Sequence, residues 1–193
     1  MPWEKQFNEE EVLDRAMGAF WARGYEATSV NDLLTVMEIN RGSLYAAFTD
    51  KRSLFIRALK SYDEKYRRDF LTSVARNYSP KEAIFAAFED VVESSDGGRN
   101  RKGCLLVNTA LELSPHDPEV EKIVRGSLRE VENFFCEMIV AAQGEGTIRT
   151  EVSSREVAQA LLGLFLGLRV LVRSRPEKDV MKTILNQARA LID

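Results

Sequence analysis

The chain has 193 residues, 45% hydrophobic and 30% charged, with a formal net charge of −3. A chain of this length buries roughly two thirds of its unfolded surface and needs no disulfide or metal staple; the composition excludes a disordered, fibrous or disulfide-rich class. The acidic balance excludes a uniformly basic nucleic-acid-coating protein, so any nucleic-acid contact must come from local placement of cations.

The N-terminus, Met1-Pro2-Trp3-Glu4-Lys5, has no basic segment followed by an apolar run, and no stretch reaches eighteen apolar residues without charge. A cytoplasmic protein without membrane association is expected. Asn8 caps a first helix running to about Gly24, with Val12, Leu13, Ala16, Met17 and Phe20 on one stripe. Gly24 suits the left-handed position that closes a helix. Thr28 or Ser29 caps a second helix, whose apolar positions Val30, Leu33, Leu34 and Met37 recur at helical spacing. Glu38-Ile39-Asn40 turns the chain, and Asn40 caps a third helix with Leu44, Ala47 and Phe48 inward. Two short helices around so tight a turn form a helix-turn-helix, whose second helix enters the DNA major groove.

That helix opens on Arg41-Gly42-Ser43. Arg41 can fork onto a guanine edge or a phosphate, Gly42 allows close backbone approach, and Ser43 can donate to either target. Tyr45 can reach a phosphate oxygen, and Ala46 can meet a thymine methyl. Asp50 caps the next helix, and Lys51 brings a charge to its start. The first sixty residues are nearly neutral, but Arg41, Lys51, Arg52, Arg57 and Lys60 are expected to gather at the DNA face.

Thr28-Ser29-Val30, followed by Arg41-Gly42-Ser43-Leu44-Tyr45-Ala46-Ala47-Phe48 and then Asp50-Lys51, resembles the signature of the TetR (tetracycline-repressor-like) family of bacterial transcriptional regulators. The resemblance covers about residues 8 to 60. It departs at Ala46, where many members carry histidine or another polar residue, which leaves base reading to Arg41 and Ser43. It implies DNA contacts from Thr28, Ser29, Asn40, Arg41, Gly42, Ser43, Tyr45, Ala46 and Lys51.

From Lys51 to about Arg76 no proline or glycine interrupts Leu54, Phe55, Ala58, Leu59, Tyr62, Tyr66 and Phe70. Such a helix is roughly 38 Å long at about 1.5 Å per residue and connects the DNA-binding unit to the rest of the chain. Ser79-Pro80 starts another helix, and Ser94 to Arg101 reads as a polar, glycine-rich loop. Further helices are expected from Gly103 to Leu111, from Asp117-Pro118 to about Gln143, from Ser153 or Ser154 to about residue 173, and from about Glu177 to Ile192. No segment alternates as a strand. The expected fold is all-α, about nine helices: a helix-turn-helix domain over 1–50, and a helical effector-binding and dimerisation domain over 51–193 with 51–76 as connector.

The helix of residues 154–173 is apolar nearly all round, so it is buried on several sides. Gly163 and Gly167 admit a second helix closely, and a homodimer is expected through Leu161, Gly163, Leu164, Gly167, Leu168 and Leu171. The resemblance implies the same dimer, built from the last two helices, on an inverted-repeat operator in double-stranded DNA, and a small-molecule effector among the middle helices. Tyr62, Tyr66, Phe70, Phe85, Phe88, Asn108, Phe134 and Phe165 are the candidate lining, with Cys104. Behind Gly103 at a helix start, where free amides favour negative charge, Cys104 could sense oxidants or electrophiles. Cys104, Cys136 and the single His116 have no metal-ligand spacing. With no nucleophile–base pair and no paired carboxylates at a glycine-rich pocket, neither enzyme nor cofactor is expected. A ligand-released repressor is the leading expectation. A regulator switched through Cys104 and a helical interaction protein without DNA activity are the alternatives.

Overall fold

The computed structural model describes residues 7–96, 102–174 and 177–193; Met1–Lys5 and the loop residues Gly97–Arg101 lie outside them. Every regular element among these residues is helical. In order they are α1 (Glu9–Arg23), α2 (Val30–Met37), α3 (Arg41–Phe48), α4 (Lys51–Tyr62), a π-helical stretch (Asp63–Arg68), α5 (Asp69–Asn77), α6 (Pro80–Asp96), α7 (Leu105–Glu112), α8 (Pro118–Gly144), α9 (Ser154–Ser174) and α10 (Lys178–Ala190). With α4, the π stretch and α5 taken as one rod, nine helices stand among the described residues. Ser94, Ser95 and Asp96, expected in a loop, belong to α6 instead.

Local chemistry sets the ends. Asn8 Oδ1 accepts from the amides of Glu10 and Glu11, and Asn40 Oδ1 from Ser43. Ser29 and Asp32 form a reciprocal capping box, and Asp50 caps α4 through the Ser53 amide at 2.6 Å. Gly24 does close α1, but with φ 90° and ψ 172°. That is not the left-handed helical pair expected; it is a region essentially restricted to glycine.

The connector is continuous, though not uniformly α-helical. Between Asp63 and Arg68 it widens, the Asp69 amide reaching back to Glu64. Tertiary partners surround this turn. Arg67 forks onto the buried Asp63 (2.5 and 2.7 Å) and reaches Glu130 on α8 at 2.7 Å. Burial works against the Arg67 charge, but these carboxylates more than offset it.

Two hydrophobic clusters form the core. One joins α1–α4 to α7 and the start of α8, through Phe20, Leu33, Leu44, Phe48, Phe55, Leu105 and Val124. Phe20 meets Phe55 edge-to-face at 5.0 Å. The other joins the end of α5 to α6, α9, α10 and the second half of α8, around Phe88, Phe135 and Phe165. The helix-turn-helix therefore takes its support from α7 and α8 as well as from α4. Because α8 runs through both clusters, it ties them together.

Three sets of polar contacts fasten α1–α4 to α7, the segment before it and the start of α8. Trp21 Nε1 donates to the Gly103 carbonyl at 3.0 Å. The Glu112 carboxylate accepts from the Tyr25 and Glu26 amides at 3.1 and 2.8 Å. A Cβ on Gly24 would lie 2.8 Å from Glu112 Oε2, so this approach also needs glycine. Arg52 forks onto Asp117 (2.6 and 2.9 Å) and reaches Glu119 at 2.9 Å. The Arg52 guanidinium, opposed by partial burial and helped by the α8 amides, holds the Asp117 carboxyl down from 3.8 to about 2. A depressed folded-state value means stabilisation that is full above the unfolded value near 4 and lost as pH falls toward 2. The difference in urea midpoint between the natural protein and Arg52→Gln should accordingly be full at pH 5 and shrink to little by about pH 2; a constant difference over that range would show that the pair does not contribute.

Candidate nucleic-acid interface and effector cavity

On α3, Leu44 and Phe48 are buried, while Arg41, Gly42, Tyr45 and Ala46 are exposed and Ser43 is half-buried. The expected reading residues thus share one outward face at the start of the helix. A Cβ on Gly42 would meet only Asn40 Oδ1, at 3.3 Å, so no neighbouring element crowds glycine there. Asn31 on α2 accepts from Arg41 Nη2 at 2.9 Å and braces the guanidinium. Residue-by-residue reading missed Asn31, because ten residues separate it from Arg41 and only the turn brings them together. Thr49, at φ 70° and ψ −55°, makes the tight turn in which the Asp50 amide donates to Phe48 O and the chain enters α4.

Of the other expected contacts, that of Thr28 is corrected. Thr28 is fully buried, and its hydroxyl donates to the Gly24 carbonyl at 2.6 Å; it shapes the loop and faces no outside partner. Ser29 is exposed but occupied as the α2 cap. The ammonium of Lys51 lies 4.1 Å over the Tyr25 ring, close to the start of α4. Arg52 is taken by Asp117 and Glu119. Arg57 is bonded to Glu9 and lies over Phe48. Lys60 lines a mixed-charge surface depression with Asp63, Glu64, Glu119 and Lys122. Of the five cations expected to gather at the DNA face, Arg52 and Arg57 are held by carboxylates distant in sequence, and Lys60 lines that depression.

A cavity of about 350 Å³ lies at the seam between the two hydrophobic clusters. Tyr62, Tyr66, Phe70, Cys104 and Phe165 line it, as expected from sequence. Phe88 does not, being fully buried in the core behind Phe165. Phe85 lies beneath the Arg189 guanidinium, and Phe134 borders a separate surface depression. The Asn108 amide finds its partner within the chain, donating to the Lys102 carbonyl at 3.0 Å. Trp21, Lys65, Arg67, Asp90, Leu128 and Arg169 were missed. Trp21 follows Met17 by four residues, beside the apolar stripe of α1, and that was the available signal.

The π stretch helps to build this wall. Tyr62 and Tyr66 stack at 5.2 Å, and each meets Trp21 edge-on, at 4.9 and 5.2 Å. Burial pushes the Tyr62 phenol well above its ordinary value; the Cys104 thiol beside it adds to the shift and Arg169 opposes it. Cys104 is the residue just before α7 rather than part of its first turn. It is half-buried and free, as is Cys136.

At the far end of the molecule, Leu161 and Leu168 point fully into their own core and are unavailable to a partner. The same helix exposes Gly163 and Val170 and half-exposes Leu164, Gly167 and Leu171. A Cβ at Gly163 or Gly167 would meet nothing within 4 Å. By length and composition α9 is sufficient to cross a membrane; α8 and α6 pack along it, but only 28% of its apolar eighteen-residue stretch is buried, so the helix expected to be buried on several sides is covered within this chain on part of its surface only.

Comparison with known proteins agrees with this geometry. Residues 12–58 match the family described as bacterial regulatory proteins, tetR family, and residues 80–188 match the tetracyclin repressor-like C-terminal domain. The HTH-type transcriptional regulator YezE of Bacillus subtilis (strain 168) is 30% identical over 192 residues, 98% of each chain. The HTH-type transcriptional repressor ComR of Escherichia coli (strain K12) is 27% identical over 173 residues, 88% of this chain and 81% of that one. Among solved structures, a cysteine mutant of the TetR family transcriptional regulator CifR, complexed with 26-bp double-strand operator DNA, superposes with a TM-score of 0.85 at 27% identity, covering 97% of both chains. The chain belongs to the tetR family of bacterial regulatory proteins and is a helix-turn-helix, DNA-binding transcriptional regulator.

Proposed function

We propose that the protein is a repressor that binds an inverted-repeat operator as a homodimer and leaves it when a small molecule fills the cavity. The observation that carries this reading is the coupling of cavity to reading head: Trp21 lines the cavity and belongs to α1, which packs on α2 and α4. Residues 1–50 act as the DNA-binding unit and 51–193 as the effector and dimerisation unit, with 51–76 between them. Arg41, Gly42, Ser43, Tyr45 and Ala46 face the groove, while Asn40, Ser29 and Lys51 set the helix ends beside the phosphates. The exposed strip of α9, continued by Val180 on α10, meets its twofold copy, which sets two α3 helices about 34 Å apart. A ligand between Trp21, Tyr62 and Phe165 favours a different setting of α1 and the connector, and so a different α3 spacing. The named repressor among the relatives and the operator-bound CifR neighbour support the reading. Such a regulator works in the cytoplasm, where its operator lies, and catalyses no reaction.

The test is selection of binding sites from random duplex DNA by the reduced protein at two salt concentrations. An enriched inverted repeat whose affinity falls steeply with salt is expected. If protein unfolded and refolded to strip any co-purified ligand still enriches no sequence, the reading fails.

The placement of Cys104 on the cavity wall favours a second reading, in which its thiol is the sensor. Under the ligand reading, Cys104→Ser protein still leaves the operator at the inducer concentration that releases the natural protein. A variant that binds DNA normally but no longer responds would favour the thiol instead.

A further inference from the structure

We infer that the cavity takes a small, flat aromatic carboxylate, a single ring bearing one acid group, with Arg169 as the carboxylate anchor. This rests on the reading of the cavity as the effector site and adds the chemical class of the effector. Three cations stand on the wall, each with a carboxylate within 4 Å, and two of them are held at hydrogen-bond distance. Lys65 bonds Glu10 and Asp14 at 2.9 and 3.0 Å, and Arg67 bonds Asp63 and Glu130. Arg169 differs. Its side chain is 19% exposed, and its nearest carboxylate partner, Asp90, lies 3.6 Å away, beyond hydrogen-bond range. Among the described residues it is the wall cation with no carboxylate in bonding contact.

A guanidinium has five N–H donors, and the partly exposed Arg169 side chain offers them to an acceptor that enters the cavity. The Arg169 guanidinium lies over the Phe165 ring at 5.1 Å, which steadies its plane without using those donors. A carboxylate is the acceptor that matches a guanidinium in two parallel bonds. Asp90, with 46% of its side chain exposed, can turn to water when such a ligand arrives. The remaining wall is suited to a ring: Trp21, Tyr62, Tyr66, Phe70 and Phe165 are aromatic, and Leu106, Leu128 and Val131 are aliphatic. The volume lies at the low end of the roughly 300–1,000 Å³ of ligand pockets, which leaves space for one ring. A second acid group would find only cations already paired.

The chain has two tryptophans, so in a Trp3→Phe background the emission comes from Trp21 on the cavity wall. Titration of that protein with benzoate and phenylacetate should change the emission at least about tenfold more tightly than titration with benzamide and phenylacetamide. Arg169→Gln should erase the preference for the acids while keeping binding to the selected operator. Equal affinity for acid and amide, an acid preference that survives Arg169→Gln, or no binding of either acid at millimolar concentration would overturn the inference. The acid-against-amide comparison needs only the natural Arg169, so it holds even if the variant does not fold. Operator binding by the same preparation separates the two levels. DNA released by neutral ligands alone leaves the regulator reading standing and removes this one, whereas protein that enriches no DNA site removes the regulator reading itself.

Discussion

Arg41→Ala should abolish operator binding at concentrations that saturate the natural protein, without altering the thermal unfolding midpoint. One bidentate base contact contributes about 1–3 kcal/mol of discrimination. A twofold dimer makes the contact twice, so the loss is about 2–6 kcal/mol, from roughly thirtyfold to about ten-thousandfold or more. The fold should survive because Arg41 is exposed and its bond within the chain is to Asn31, also at the surface. Asn31→Ala should give a smaller loss, since it frees the guanidinium without removing it. Electrophoretic mobility shifts on the selected operator, beside thermal melts, measure both. Arg41→Ala protein that binds as tightly as the natural protein would show that α3 does not read through this residue.

The second large effect is expected at Gly163. Glutamate there would enter open space in the isolated chain, where a Cβ meets no atom within 4 Å. Replacing glycine within a helix also recovers up to about 1 kcal/mol of helix propensity. The monomer should therefore fold at least as well as before. In the dimer, the same carboxylate would be pressed into an apolar seam against its own copy, where desolvation and like charge both oppose it. Light scattering should then report a mass near 21.9 kDa in place of twice that value. Operator affinity should fall by about 10²–10⁴, the loss of effective concentration when two linked half-site contacts become independent. A dimer that persists in Gly163→Glu would move the interface away from this strip.

Reading the sequence went furthest where partners lie close along the chain. Asn8, Ser29, Asn40 and Asp50 each bond amides two or three residues ahead, so their roles follow from type and position. Helical periodicity likewise named the inward faces of α1, α2 and α3, since a residue and its fourth neighbour share one side. Periodicity states which side is apolar, not what stands opposite. Phe88 and Phe165 were therefore equal candidates for the cavity, and only packing separated the core side chain from the wall. Leu161 and Gly163 were equal candidates for the dimer strip for the same reason. The cations show the limit most clearly. Arg41 and Arg52 are the same residue type, eleven positions apart. Arg41 is braced at the surface, and Arg52 is held by Asp117, 65 residues away.

The sequence by itself determined that the chain is helical, where most helices begin and end, and that α3 presents Arg41, Gly42 and Tyr45 outward, because caps and periodicity are local. Only the tertiary structure decided which charges remain free, that Trp21 joins Phe165 around one cavity, and that the connector widens at Asp63–Arg68. Those outcomes depend on ion pairs and ring contacts between residues tens of positions apart, and such pairings exist only once the helices have packed.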